Sequence, residues 1–210
     1  MTPLGEHSHS DTVRLEAISD GVIAVAITLL VLDLKVPHVG DGSLWNALAQ
    51  QWPAYAAYVT SFLVIGILWV NHHSIFRQIR YAPRGLMLTN LTLLMLIVAI
   101  PFVTSLVADY LTESGINAKV AMAVYNALAL AIAITMTVLW GYALRRPELL
   151  EPDVDVQAAR KAFPRFSIGS TVYAVLILLS FISALLALAG TFFVALYYAF
   201  EHLPKTHPER

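Results

Sequence analysis

The chain has 210 residues, of which 58% are hydrophobic and only 13% charged, with a formal net charge of −1 and no cysteine. Soluble domains carry about 25% charged residues, so this composition excludes an ordinary soluble domain and points to a membrane. The near-neutral balance excludes a general nucleic-acid binder, and the missing cysteines exclude disulfides and thiolate metal sites.

Residues 1–13 read as a polar N-terminal tail containing His7 and His9. They lack the basic start and apolar core of a cleaved signal peptide, so the first helix is expected to remain in the protein. That helix is expected from Leu15 to Leu34, the roughly 20 residues that cross a bilayer. It opens polar with Arg14, Glu16, Ser19 and Asp20, runs uncharged from Gly21 to Leu32, and closes on Asp33 and Lys35. At about 100° per residue, Val25, Thr28, Leu29 and Leu32 share one stripe, and Asp20 lies about 140° from Val25. Such a helix either lines a narrow, nearly apolar passage with that stripe or is a plain anchor whose stripe merely packs. The residues alone leave both open.

The second apolar stretch runs from Leu44 to Phe76, with Trp45, Trp52, Tyr55 and Tyr58 at its start and Trp69 near its end. Aromatic residues at both ends fit the interfacial belts of a spanning helix. Pro53 predicts that the span begins there, with Ser43 to Gln51 as an interfacial helical turn. Arg77, Arg80 and Arg84 follow. The third span covers Leu86 to Val107, with Asn90 near its start, and Pro101 predicts a bend. A fourth span covers Val120 to Leu144. Residues 147–165 read as a cytoplasmic connector, partly helical, with acids first and Arg160, Lys161 and Arg165 last.

The last apolar stretch, Phe166 to Phe200, is too long for one span and short for two. Two helices meeting between Ser183 and Gly190 are predicted, followed by a polar tail over 202–210. The expected fold is therefore an all-α polytopic membrane protein with six transmembrane helices. With both termini in the cytoplasm, Lys35 and Lys119 are the only outer members of the thirteen Lys and Arg, as the positive-inside tendency requires. A five-span alternative would move Lys205 and Arg210 outside, so charge favours six only slightly.

This topology puts Ser19 and Asp20, then Asn71, His72 and His73, then Asn90, at similar depth near the inner ends of the first three spans. A carboxylate at such depth needs partners, which His and Asn supply. The expectation is a network centred on Asp20 that joins three helices, with Trp69 packed beside it. His72 and His73 are adjacent on a helix and do not face each other, so that pair cannot close on one ion, and no metal site is expected. Neither a nucleophile–base pair nor a ligand set of an enzyme is visible among the spans.

Arg14-x-x-x-Ile18-Ser19-Asp20, running into Gly-Val-Ile-Ala-Val-Ala-Ile-Thr-Leu-Leu-Val-Leu, resembles the first helix of the transmembrane protein 175 family of potassium channels. Trp69-Val-Asn71-His72-His73, Asn90 and Pro101-Phe102 extend the resemblance over most of the chain, with Ile18 standing where the family has Phe. The resemblance implies that Ser19 and Asp20 hold a pore helix in place. It also implies a constriction at Val25, Thr28 or Leu29, and Leu32, with potassium passing near Thr28, and a homotetramer in the lipid bilayer. Conduction would be passive, with no cofactor and no chemical step. No Thr-Val-Gly-Tyr-Gly filter occurs, so selection would fall to side chains or to dehydration. The alternative is a secondary transporter for a cation or small solute, which would be expected to show repeats and a midplane charged site.

Overall fold

The computed structural model describes residues 4–38, 42–113 and 115–201. Its helices are α1 (Leu4–Leu29), α2 (Leu44–Gln50), α3 (Trp52–Phe76), α4 (Arg84–Val98), α5 (Ile100–Tyr110), α6 (Ile116–Leu144), α7 (Val156–Ile182) and α8 (Ala184–Glu201). Short 3-10 turns, Leu30–Asp33 and Pro147–Leu149, follow α1 and α6. Among the described residues no strand forms beyond a single bridge between Ile79 and Leu150.

Proline sets the breaks the sequence predicts. Pro53 lacks an N–H and its ring would clash with the carbonyl four residues back. The chain therefore turns at Gln51 (φ −83°, ψ 10°) between α2 and α3. Pro101 does the same between α4 and α5: the helix stops at Val98, turns at Ala99, and restarts at Ile100. The two halves still form one apolar run, Arg84–Tyr110.

One boundary differs from expectation, and the partly helical connector proves to be the start of a long helix. Helix α1 reaches back to Leu4, through most of the segment read as a polar tail. Helix α7 starts at Val156, inside the segment read as a connector. Its cap is Asp155, whose carboxylate accepts from the backbone N–H of Gln157 and Ala158, both at 3.0 Å, the usual way a short acidic side chain satisfies a first turn. Pro164 then sits inside α7. The tail expected over 202–210 lies outside the described residues.

The last apolar stretch divides at Ser183, which is extended (φ −151°, ψ 119°) and caps α8 by accepting from Leu186 N–H at 3.3 Å. Gly190 allows α8 to approach α7, since a Cβ there would stand 2.7 Å from Leu176 Cδ2. Among the described residues five helical runs are long and apolar enough to cross a membrane: Thr12–Asp33, Trp52–Phe76, Arg84–Tyr110, Ile116–Leu144 and Val156–Ile182. A shorter apolar run, Ala184–Ala199, completes the set.

One core joins α1, α3, α4 and α6 through Ile23, Ala26, Leu30, Ile65, Leu93, Ile97 and Leu139. A second joins α3, α5, α6 and α8 through Ala57, Val107, Met122 and Leu188. At one end of the bundle the α3–α4 and α6–α7 loops are clipped together by Arg80 N–H to Leu149 O (2.8 Å) and Glu151 N–H to Gln78 O (3.0 Å). Arg160 closes the same end, donating from Nε (3.2 Å) and Nη2 (2.7 Å) to Leu144 O at the end of α6.

Candidate functional site

Helix α1 and the 3-10 turn that continues it have two unlike faces. Ser19, Ile23, Ala26 and Leu30 pack inward, each no more than 1% exposed. Across the helix, Val25 (56% exposed), Thr28, Leu29 and Leu32 (72%) are left uncovered by the rest of the chain. On an ideal wheel Ile23 is about 160° from Val25, so the bare stripe and the packed face are nearly opposite. Thr28 donates its hydroxyl hydrogen to Val25 O at 2.8 Å. That bond occupies the donor and leaves the oxygen lone pairs for another partner.

At the N-terminal end of this stripe lie two separate polar sets. The first is fully buried. Ser19 donates to Leu15 O (2.8 Å), so its oxygen accepts from Asn90 Nδ2 (2.9 Å). Asn90 Oδ1 must then accept, which makes His72 Nε2 the donor at 2.9 Å. His72 Nδ1 is buried with no hydrogen-bond partner among the described residues, and the ring stacks on Phe76 with centroids 4.3 Å apart. The residue that joins α1, α3 and α4 is therefore Asn90, not Asp20 as the sequence led us to expect.

The second set is half-exposed. Asp20 Oδ1 accepts from Trp69 Nε1 at 3.0 Å, and Trp69 stacks on His73 with centroids 5.9 Å apart. His73 Nδ1 lies 2.9 Å from Glu16 Oε1. It is off the line of a well-formed N–H···O bond, so the two atoms are close without being hydrogen-bonded. Glu16 was missed as a member, although it sits one turn from Asp20 on the same face. Arg14 and Asn71 join neither set among the described residues. Ile18 is exposed and, about 20° from Val25 on the ideal wheel, extends the stripe toward the N-terminus.

The other end of α1 is tied to α5. Ser105 donates to Asp33 Oδ1 at 2.5 Å, while Lys35 pairs with Asp109 at 3.8 Å, both well exposed. An exposed pair of this kind contributes little. Sequence reasoning also missed two buried polar clusters. In one, Ser61 Oγ meets Thr104 Oγ1 (2.7 Å) and Tyr125 Oη (3.0 Å), linking α3, α5 and α6. In the other, Asn126 donates to Ser180 Oγ (3.2 Å) and accepts from Thr191 (2.9 Å), tying α6 to α7 and α8. Asn126 alone in an apolar span was the available signal, since such a group needs a partner.

A family model described as the endosomal/lysosomal potassium channel TMEM175 matches residues 14–101, which hold the C-terminal part of α1 and both polar sets. The chain is 48% identical over 196 residues to a protein of Streptomyces collinus named a potassium channel, covering 93% of this chain and 95% of that one. It belongs to the TMEM175 family. A second relative, from Chamaesiphon minutus and also named a potassium channel, is 41% identical over 193 residues, covering 90% of this chain and 94% of that one. The crystal structure of a lysosomal potassium-selective channel TMEM175 homolog from Chamaesiphon minutus superposes with a TM-score of 0.83 at 39% identity, over 93% of this chain and all of that one. The chicken relative, named an endosomal/lysosomal proton channel TMEM175, is 36% identical over 149 residues, covering 66% of this chain and 30% of that one. The fold is thus that of TMEM175 channels, an all-helical multi-pass membrane protein.

Proposed function

We propose that this chain conducts potassium passively across the cell membrane as a homotetramer, with Val25, Thr28, Leu29 and Leu32 of each α1 forming the constriction. The observation that carries this reading is the stripe left bare on α1, opposite the face that packs. One chain supplies one such stripe, so a pore lined by it needs several copies around an axis. The bacterial relatives' names as potassium channels supply the ion.

Around a fourfold axis Val25 and Leu32 would make apolar rings that obstruct ions by dewetting. A Thr28 ring between them would offer hydroxyl oxygens whose hydrogens are already committed to Val25 O. Those oxygens can replace part of a cation's hydration shell. The two polar sets then act as supports that hold α1 at a fixed rotation, so that the stripe rather than the packed face meets the axis.

Flux through purified protein in liposomes tests this. A channel carries potassium down its gradient with nothing on the other side, whereas a transporter requires a counter-ion or co-substrate. Potassium flux that appears only with a second solute would replace the channel by a transporter. Because a vertebrate relative is named a proton channel, proton flux belongs in the same vesicles, and flux of protons without potassium would reassign the permeant ion.

A further inference from the structure

The half-exposed polar set has a donor composition that the pore reading does not use. Glu16, Asp20 and His73 each offer one ligand atom, and these atoms all lie within 4.8 Å of one another. Two come from successive turns of α1 and one from α3. We propose that Glu16, Asp20 and His73 form a binding site for a divalent transition ion of the zinc class, joining the ends of α1 and α3.

The donor set fits that ion. Zinc takes nitrogen and oxygen ligands in tetrahedral geometry, and three protein ligands with an open fourth position is a standard arrangement. Magnesium and calcium take oxygen ligands and need more of them, so a site with one imidazole and two carboxylates selects against both. The absence of an expected metal site rested on His72 and His73 not facing each other. His72 does point away, to Asn90, whereas His73 reaches Glu16 of α1.

The surrounding contacts are those that orient ligands. Metal-binding carboxylates are normally held by hydrogen bonds of their own. Here Trp69 Nε1 holds one oxygen of Asp20 and leaves the other open. The Trp69 ring lies nearly parallel to His73, at 21°, and fixes the plane of the imidazole. His73 Nδ1 is itself shielded from solvent and makes no well-aligned hydrogen bond, while standing 2.9 Å from a Glu16 oxygen. A nitrogen lone pair and two carboxylate oxygens converging in this way would repel one another. A bound cation, or a proton on His73, relieves that. Metal binding here does not depend on what the channel conducts.

The test uses full-length protein in nanodiscs carrying His7→Ala and His9→Ala, which removes the polar N-terminal histidines as a competing ligand pair. Zinc titrated by calorimetry should bind at one ion per chain. Glu16→Gln and His73→Gln, each confirmed folded by its elution and helical circular dichroism, should each weaken that affinity by at least about 100-fold, the upper range for loss of a mere supporting partner. Cobalt as a stand-in should give visible d–d absorption of a nitrogen/oxygen site that disappears in His73→Gln. Sulfur bands cannot confuse it, because the chain has no cysteine. No saturable binding, or unchanged affinity in both variants, would show that Glu16 and His73 only pack against each other and hold no metal. Binding lost with His7 and His9 alone would place the metal on the N-terminal histidines and overturn the proposal equally.

Discussion

Asn90 and Asp20 carry different burdens, and substitution should separate them. Asn90 is completely buried, and its two ends hold Ser19 and His72. Asn90→Ala leaves the His72 Nε2 donor without a partner in a dry setting, which costs about 1–3 kcal/mol. Asp20→Ala frees only the indole N–H of Trp69, a residue that is 42% exposed, so its cost should fall below about 1 kcal/mol. Thermal unfolding in detergent should therefore rank Asn90→Ala well below Asp20→Ala, and the reverse order would return the central role to Asp20. Thr28 asks a question about selection instead. Thr28→Val keeps the shape and deletes the one polar side chain on the stripe, so the preference for potassium over sodium should fall several-fold in bi-ionic flux measurements. Undiminished discrimination would mean that Thr28 is not the selecting group.

Helix α1 is where sequence and structure can be compared most directly. The helical wheel placed Val25, Thr28, Leu29 and Leu32 on one stripe, because the period of the backbone alone separates two faces of one helix. Its partners were less legible: that Ser19 meets Asn90 across 71 positions of chain depends on how three helices are rotated against one another. Proline breaks were readable because the missing N–H is a local fact. The start of α7 was not, since polar residues before Phe166 conceal a helix whose support is the Asp155 cap and the Arg160 tie to α6. On the face assignment we expect Leu32→Asn and Val25→Asn to raise potassium flux several-fold and to weaken preference over sodium, since a polar ring wets without becoming wider. Val22→Asn should do less, lying about 60° off the stripe. Ile23→Asn buries an amide at a site 1% exposed and should reduce folded yield, at a cost of about 1–3 kcal/mol. Equal flux from all four, or a gain confined to Ile23→Asn, would assign the pore to another face.

The whole molecule has two ends that differ in charge, and that difference predicts its sidedness. Arg80 lies in the loop clip beside Leu149, Arg160 reaches Leu144, and Arg77, Arg84, Arg145 and Arg146 flank the same loops. Lys35 and Lys119 lie at the opposite end, near Asp109 and the start of α6. Positive loops stay in the cytoplasm, so the arginine end, with the polar sets of α1, should face inward. The position of the C-terminus then turns on α8. Its apolar run, Ala184–Ala199, rises about 24 Å as a helix, against about 30 Å of hydrocarbon, a mismatch that local thinning of the bilayer absorbs at modest cost. We therefore expect α8 to cross, giving six spans and both termini inside. The chain contains no cysteine, so single introduced thiols report without background. Thr112→Cys should react with a membrane-impermeant maleimide on intact cells, and Glu148→Cys and Lys205→Cys only after permeabilisation. Labelling of position 205 on intact cells would leave five crossings and an outer C-terminus. Labelling of 148 in place of 112 would invert the molecule and place the arginine end, with its proposed metal site, on the outer face.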